Sequence, residues 1–190
     1  EKVMDYTRNE DRICRDELPC GVSYNQMLGR VQKEAITTYP VTLAEAKNFC
    51  KIDIAEDDTL IEDVIIPSAL DMCEDISNIS FVQREMTVAL NNINGNTYLP
   101  LGPVSGTPTA TDRDGTAISG LTVTPDEWKK VVEPRSAYVQ VTYTGGYEEL
   151  PMKLKTALLN AIYYLYDNRA TAMDDIGPIA KAILKPISRV

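Results

Sequence analysis

Residues 138–169 read YVQVTYTGGYEELPMKLKTALLNAIYYLYDNR: a strand, a glycine corner, a proline-started helix and a polar stop in one stretch. Tyr138, Val139, Val141, Thr142, Tyr143 and Thr144 are β-branched or aromatic, the side chains that suit a half-buried pleated surface. Gly145-Gly146 tolerates positive φ, so the strand is expected to end there in a sharp turn. Pro151 fits the first turn of a helix, where its missing N–H costs no hydrogen bond. Leu154, Leu158, Ala161, Ile162 and Leu165 then recur at three- and four-residue spacing, which places one apolar stripe on a helix of about five turns. That stripe has to be buried against the rest of the chain.

The chain of 190 residues is long enough for one domain with a real core, and its 44% hydrophobic and 25% charged composition is that of a soluble globular protein. No apolar run approaches the ~20 residues of a membrane helix, and no stretch has the form of a signal peptide. A net charge of -9 argues against nonspecific binding to nucleic acid, whose phosphates most of this surface would repel. The charge is unevenly spread: residues 40–100 hold eleven acids against three bases, and residues 151–190 three acids against six bases. The plain reading is two solvated faces. The sharper one is a basic tail that docks on an acidic surface of a neighbouring copy or of a partner.

Histidine is absent, which removes Ser-His-Asp and Cys-His nucleophile systems and makes His-ligated zinc and haem untenable. Cys14, Cys20, Cys50 and Cys73 form no CxxC pair. Cys50 and Cys73 lie in apolar helical contexts and read as small buried side chains, free thiols in a reducing cytoplasm. No cofactor or metal site is expected.

Residues 1 to about 22 lack hydrophobic periodicity and read as an extended arm. Ser23 and Gln26 form a capping box before Tyr24, Met27, Leu28, Val31 and Ala35, so a short amphipathic helix is expected, ended by Tyr39-Pro40. Residues 1–40 are therefore an N-terminal arm, 41–175 a core domain and 176–190 a terminal segment. Thr42 and Glu45 open a helix over Leu43 to Lys51. A longer helix from about Glu56 to Ser77 buries Leu60, Ile61, Val64, Ile65, Ala69, Met72, Cys73 and Ile76, with a kink at Pro67. Glu56, Asp57, Asp58, Glu62 and Asp63 crowd its opening turns, where the helix dipole favours negative charge.

The centre is β. Glu85 to Leu90 reads as a strand, and Asn94-Gly95 as a two-residue hairpin turn into a return strand at Tyr98 and Leu99. Residues 102–120 read as a loop with a tip at Asp114-Gly115, where Asp112 is a turn former. Thr124 to Glu127 looks like one capped helical turn covering Trp128, and Val131-Val132 like a short strand. In the last segment Ile179, Ile183, Leu184 and Ile187 alternate with Lys181, Lys185 and Arg189 between Pro178 and Pro186, the form of an independent groove-binding tail. The expected class is α+β and mainly helical: a small helical bundle, a hairpin-rich insertion between the long second helix and the Pro-started helix, and a C-terminal helix.

Five pieces of the chain carry a resemblance. They are Val41-Thr42-Leu43-Ala44-Glu45-Ala46-Lys47, Asp57-Asp58-Thr59-Leu60-Ile61, Leu99-Pro100-Leu101-Gly102-Pro103-Val104, Val141-Thr142-Tyr143-Thr144-Gly145-Gly146-Tyr147 and Tyr166-Asp167-Asn168-Arg169. In this order, over residues 41–190, the chain resembles the head-to-tail connector (adaptor) proteins of tailed bacteriophages and their prophage and gene-transfer relatives. The resemblance implies a structural virion protein without catalysis. It implies a ring, typically dodecameric, below the portal protein of the DNA-filled head and above a stopper or tail-completion protein, with DNA passing through unbound. By position, Ile176, Ile179, Lys181, Ile183, Leu184, Lys185, Ile187 and Arg189 inherit portal docking, and the loop with Asp112, Arg113, Asp114 and Gly115 inherits the channel or the next ring. Gly145, Gly146, Tyr147 and Pro151 form a structural corner. Tyr163, Tyr164, Tyr166 and Arg169 remain as candidates for contacts between neighbouring copies.

Two alternatives come from other classes. One is a hydrolase using paired carboxylates among Asp57, Asp58, Glu62, Glu148 and Glu149, which only geometry can test. The other is a protein-interaction module outside any virion, built on the N-terminal helix and the basic tail.

Overall fold

The central strand runs over Ser136–Gly145 (β6) and lies inside a four-stranded antiparallel sheet. The fold is that of a computed structural model, which describes residues 31–93, 97–119, 131–132, 136–169 and 175–188. The other strands are Gln32–Lys33 (β1), Arg84–Ile93 (β2) and Val104–Thr111 (β4), in the order β1-β2-β6-β4. Register puts Met86 opposite Tyr143, Val88 opposite Val141 and Leu90 opposite Val139. These six side chains share one face and are buried with Leu99, Leu101, Val104 and Ala110. The alternate residues make a polar face, on which the Thr87 and Thr142 hydroxyls lie 3.1 Å apart. This is the two-residue period of a sheet with one covered face.

Two sequence expectations fail in this region. The helix expected through Ala35 is replaced at Gln32–Lys33 by β1, paired with Thr87 and Met86 of β2; residues 23–30 lie outside the described chain. The strand beyond Asn94-Gly95, Thr97–Tyr98 (β3), does not return along β2. It pairs with Val131–Val132 (β5) in a separate two-stranded sheet. β2 pairs with β6 along its length on one side, and with β1 only at Met86 and Thr87 on the other. The Thr124–Trp128 turn lies outside the described residues.

The helical layer has its own core. Helix α1 (Leu43–Cys50) starts at the expected capping box, with both reciprocal bonds of Thr42 and Glu45 present. The long helix is one run in three parts: Asp58–Leu60 (α2), a π turn over Ile61–Ile65, and Ile66–Ser77 (α3). Pro67 cannot donate to the Asp63 carbonyl and crowds that turn. Helix widening answers this: the Ile66 N–H reaches back to the carbonyl of Ile61. The wider turn keeps Ile61, Ile65 and Ile66 all buried.

Helix α4 (Met152–Asp167) buries Leu154, Ala157, Leu158, Ala161, Ile162 and Leu165 against this layer, as its periodicity predicts. Pro151 sits just before the helix as its N-cap, with φ -55 and ψ 137. The last helix, Gly177–Leu184 (α5), corrects the expectation of an independent tail. Ile176, Ala180 and Leu184 are wholly buried in the helical core, and Ile183 and Ile187 pack on it. The buried spacing is 176, 180, 184, one residue per helical turn, and it includes a small alanine that a search for large apolar side chains passes over.

The corner holds the two cores in register. Gly146 has φ +108, and its N–H donates to the Pro103 carbonyl at 2.8 Å. One residue on, the Tyr147 carbonyl accepts from the Gln83 N–H at 2.9 Å.

A buried carboxylate makes the second tie. Glu74 on α3 is fully buried, and its Oε1 accepts from the Phe81 N–H at 2.8 Å and the Ser80 hydroxyl at 3.0 Å. Its Oε2 accepts from Lys33 Nζ at 3.0 Å and from the Arg84 guanidinium. One side chain thereby joins α3 to β1 and β2. A lone buried charge is costly, and removing one partner of such a pair exposes that cost. Replacing Glu74 with Gln keeps the shape but leaves Arg84 without its counter-charge. We expect a loss of about 2–3 kcal/mol in urea unfolding at unchanged slope; a stability equal to wild type would show that the charge contributes nothing.

Candidate interaction surfaces

The residues singled out in the terminal segment separate into two sets. Ile176 and Leu184 are core, and Ile183 and Ile187 are half-buried. Ile179, Lys181 and Lys185 face outward, Ile179 being 60% exposed. Arg189 lies outside the described residues. Lys181 Nζ is 2.7 Å from the Asp175 carboxylate, which also accepts from the Gly177 N–H at 3.0 Å. These bonds hold the Asp175 carboxyl below its usual range. Gly177 lets α5 close on α4: a Cβ there would stand 2.6 Å from the Tyr164 ring.

Of the aromatic residues on α4, only Tyr163 is open, at 46% exposure. Tyr164 is half-buried against Gly177. The Tyr166 hydroxyl donates to Asp57 Oδ2 at 2.6 Å, and that bond pushes the phenol up from its ordinary range. The Arg169 guanidinium lies 4.6 Å from the centroid of the Tyr166 ring and 3.7 Å from Asp57. Tyr166 and Arg169 therefore tie the end of α4 to the start of the long helix, and the exposed Arg169 is a bridge within the chain.

The first half of the segment 102–120 is strand rather than loop, since β4 occupies Val104–Thr111. Its tip is the tight turn that Asp112 was expected to form. The Asp112 carboxylate accepts from the Asp114 N–H at 2.9 Å and the Thr116 N–H at 2.8 Å. Arg113, Asp114 and Gly115 are exposed at the tip, with the Arg113 guanidinium 5.2 Å from the centroid of the Tyr138 ring.

The carboxylates named for hydrolysis do not converge as one group. Asp57 is bonded to Tyr166 near the end of α4, and Asp58 forms an ion pair with Lys47. Glu148 and Glu149 precede the start of α4, and the helix from Met152 to Tyr166 is about 20 Å long at 1.5 Å per residue. A glycosidase pair needs a separation of roughly 5–9.5 Å.

The two described cysteines are unreactive by environment. Burial pushes the Cys50 thiol up to about 11 and the Cys73 thiol up to about 12, the latter helped by neighbouring Glu74. The folded state therefore holds both protons more tightly than the unfolded one. Stability from these groups is complete below the ordinary thiol pKa near 9.0 and declines as pH rises toward 11–12. Iodoacetamide at pH 8 should label Cys73 more than tenfold more slowly in the native protein than in urea; equal rates would contradict this burial.

Among the described residues no helix is long and apolar enough to cross a membrane. No protein-family model matches the chain, and no curated protein matches its sequence. Solved structures do match. The chain is similar to one in the neck of an empty gene transfer agent particle computed with C6 symmetry, at 18% identity and TM-score 0.67, over 85% of this chain and 96% of that one. It is similar to a chain in the virion of a native gene transfer agent particle, at 19% identity and TM-score 0.66, over 84% and 95%. A third, from the neck of a native particle computed with C12 symmetry, gives 17% identity and TM-score 0.61 over 84% and 96%. The fold is that of these particle chains.

Proposed function

We propose that this chain is a structural protein of a phage or phage-like particle, assembled as a ring in the neck at the head–tail junction. The observation that carries the reading is the shared fold, which spans 96% of the length of a chain from a particle neck. The neck symmetries, C6 and C12, support a closed ring, and twelve copies satisfy both. Above the ring stands the portal protein and below it a stopper or tail-completion protein. The role has no catalytic step, and its partners are proteins and passing DNA. An acidic ring wall, from a chain of net charge -9, suits DNA that slides without sticking.

Mass photometry and negative-stain imaging of the purified chain test this. Rings are expected, with uniform mass near twelve copies, that bind a portal ring and do not retain duplex DNA at physiological salt. Monomers alone at high concentration, with no association to portal, would overturn the reading.

A further inference from the structure

Helix α5 is apolar nearly all round, GPIAKAIL, with Lys181 its only charged residue. Such a helix is ordinarily buried on every side. Here the inner side, Ile176, Ala180 and Leu184, is buried in the core, while Ile179 and Ala182 point outward, followed by exposed Pro186. Lys181 and Lys185 stand on this open side, and Lys185 has no ion-pair partner among the described residues. The outward face is therefore an apolar stripe bordered by positive charge.

The same chain exposes a surface of matching chemistry. From Ile54 to Val64 the segment leading into the long helix and its opening turns show two large apolar side chains, Ile54 at 52% and Val64 at 41% exposure. Between them Glu56, Glu62 and Asp63 are exposed, and none has an ion-pair partner among the described residues. The π turn produces this pattern. With Ile61, Ile65 and Ile66 all held in the core, Glu62, Asp63 and Val64 face solvent as three consecutive residues.

We propose that the outward face of α5, with Ile179, Lys181 and Lys185, docks on the Glu62–Asp63–Val64 surface of a second copy of this chain. The inference rests on the ring reading above and names the contact that closes the ring. Apolar stripe meets apolar side chain, and lysines meet carboxylates that lack a partner of their own. The two surfaces are different, so each copy offers one of each to its neighbours, the form of contact that generates rings.

The test is a charge exchange read by mass photometry. Lys185→Glu alone, and Glu62→Lys with Asp63→Lys alone, place like charges across every contact. Each protein should stay cooperatively folded, because these side chains are exposed, with at most a small fall in melting temperature from the reversed helix-end charge, and each should self-associate at least tenfold more weakly. Ile179→Asp should do the same through the apolar stripe. Mixing the two charge variants restores opposite charges at every contact of an alternating ring, so rings should return. If wild type forms rings and all three variants form them equally well, the contact is wrong while the ring reading stands. If the variants form rings but lose a portal ring, α5 serves the portal, and the contact is again wrong. If wild type forms no ring, both readings fall together.

Discussion

A chain ended after Asp175 is expected to lose cooperative folding. The cut removes Ile176, Ala180 and Leu184, all wholly buried, together with the half-buried Ile183 and Ile187. It also uncovers the sides of α3 and α4 on which α5 packs. Deleting one large buried aliphatic side chain costs about 2–5 kcal/mol, and two are lost outright against a total stability of about 5–15 kcal/mol. The truncated chain should therefore retain helical far-ultraviolet circular dichroism with a broad, non-cooperative melt and strong binding of a hydrophobic dye. A sharp transition within a few degrees of full length would show that α5 is dispensable to the core.

Gly146→Val is expected to have the next largest effect. The φ of +108 lies where L side chains are strained by about 1–3 kcal/mol. A Cβ at this position would also stand 2.1 Å from the Val82 carbonyl oxygen and 2.6 Å from its carbon. Those are backbone atoms, so no rotamer change relieves the clash. The chain would have to shift where Gly146 bonds to Pro103 and Tyr147 bonds to Gln83, the junction of the two cores. We expect a loss above about 4 kcal/mol, the range in which few single substitutions fall. Recovery of the variant as soluble protein with wild-type urea midpoint would overturn this account of the corner.

Most of the helical architecture was readable because its signals are local. The stripe from Leu154 to Leu165, the Thr42–Glu45 capping box and the Gly145-Gly146 corner each depend on residues within a few positions of one another. The errors share a different cause. Asn94-Gly95 announces a hairpin, but Thr97–Tyr98 pairs instead with Val131–Val132, a segment distant in sequence. Gln32–Lys33 sits in a segment of helical period, yet the open edge of β2 takes it as a strand. Glu74 carries no signal of its own in the sequence, since nothing nearby announces that Lys33, Ser80, Phe81 and Arg84 converge on it. Tertiary demand overrides local preference in the two strand cases, and in the third it gathers partners that no local pattern announces.

The interaction surfaces were legible by composition and misassigned by depth. The basic, proline-bounded terminal segment looked free because Ile176 and Ala180 fell outside the pattern of large apolar residues that defined it. Of the α4 residues offered for contacts between copies, Tyr164 and Tyr166 are used within the chain, and Tyr163 stays exposed. The exposed trio Glu62, Asp63 and Val64 could not be read from sequence, because a regular helix would have turned Val64 inward and only the π turn leaves it outside.

The order of the sheet, β1-β2-β6-β4, also sets a timetable for synthesis. Strand β2 is complete at Ile93, but its main partner begins at Ser136, roughly 40 residues later. At ribosomal speeds of about 5–20 residues per second, β2 waits on the order of 2–8 s before β6 can cover it. The helical core waits longer, until Leu184 has been made. The last helix thus acts as a clock on the helical core, while the sheet core can close once Gly145 has been made.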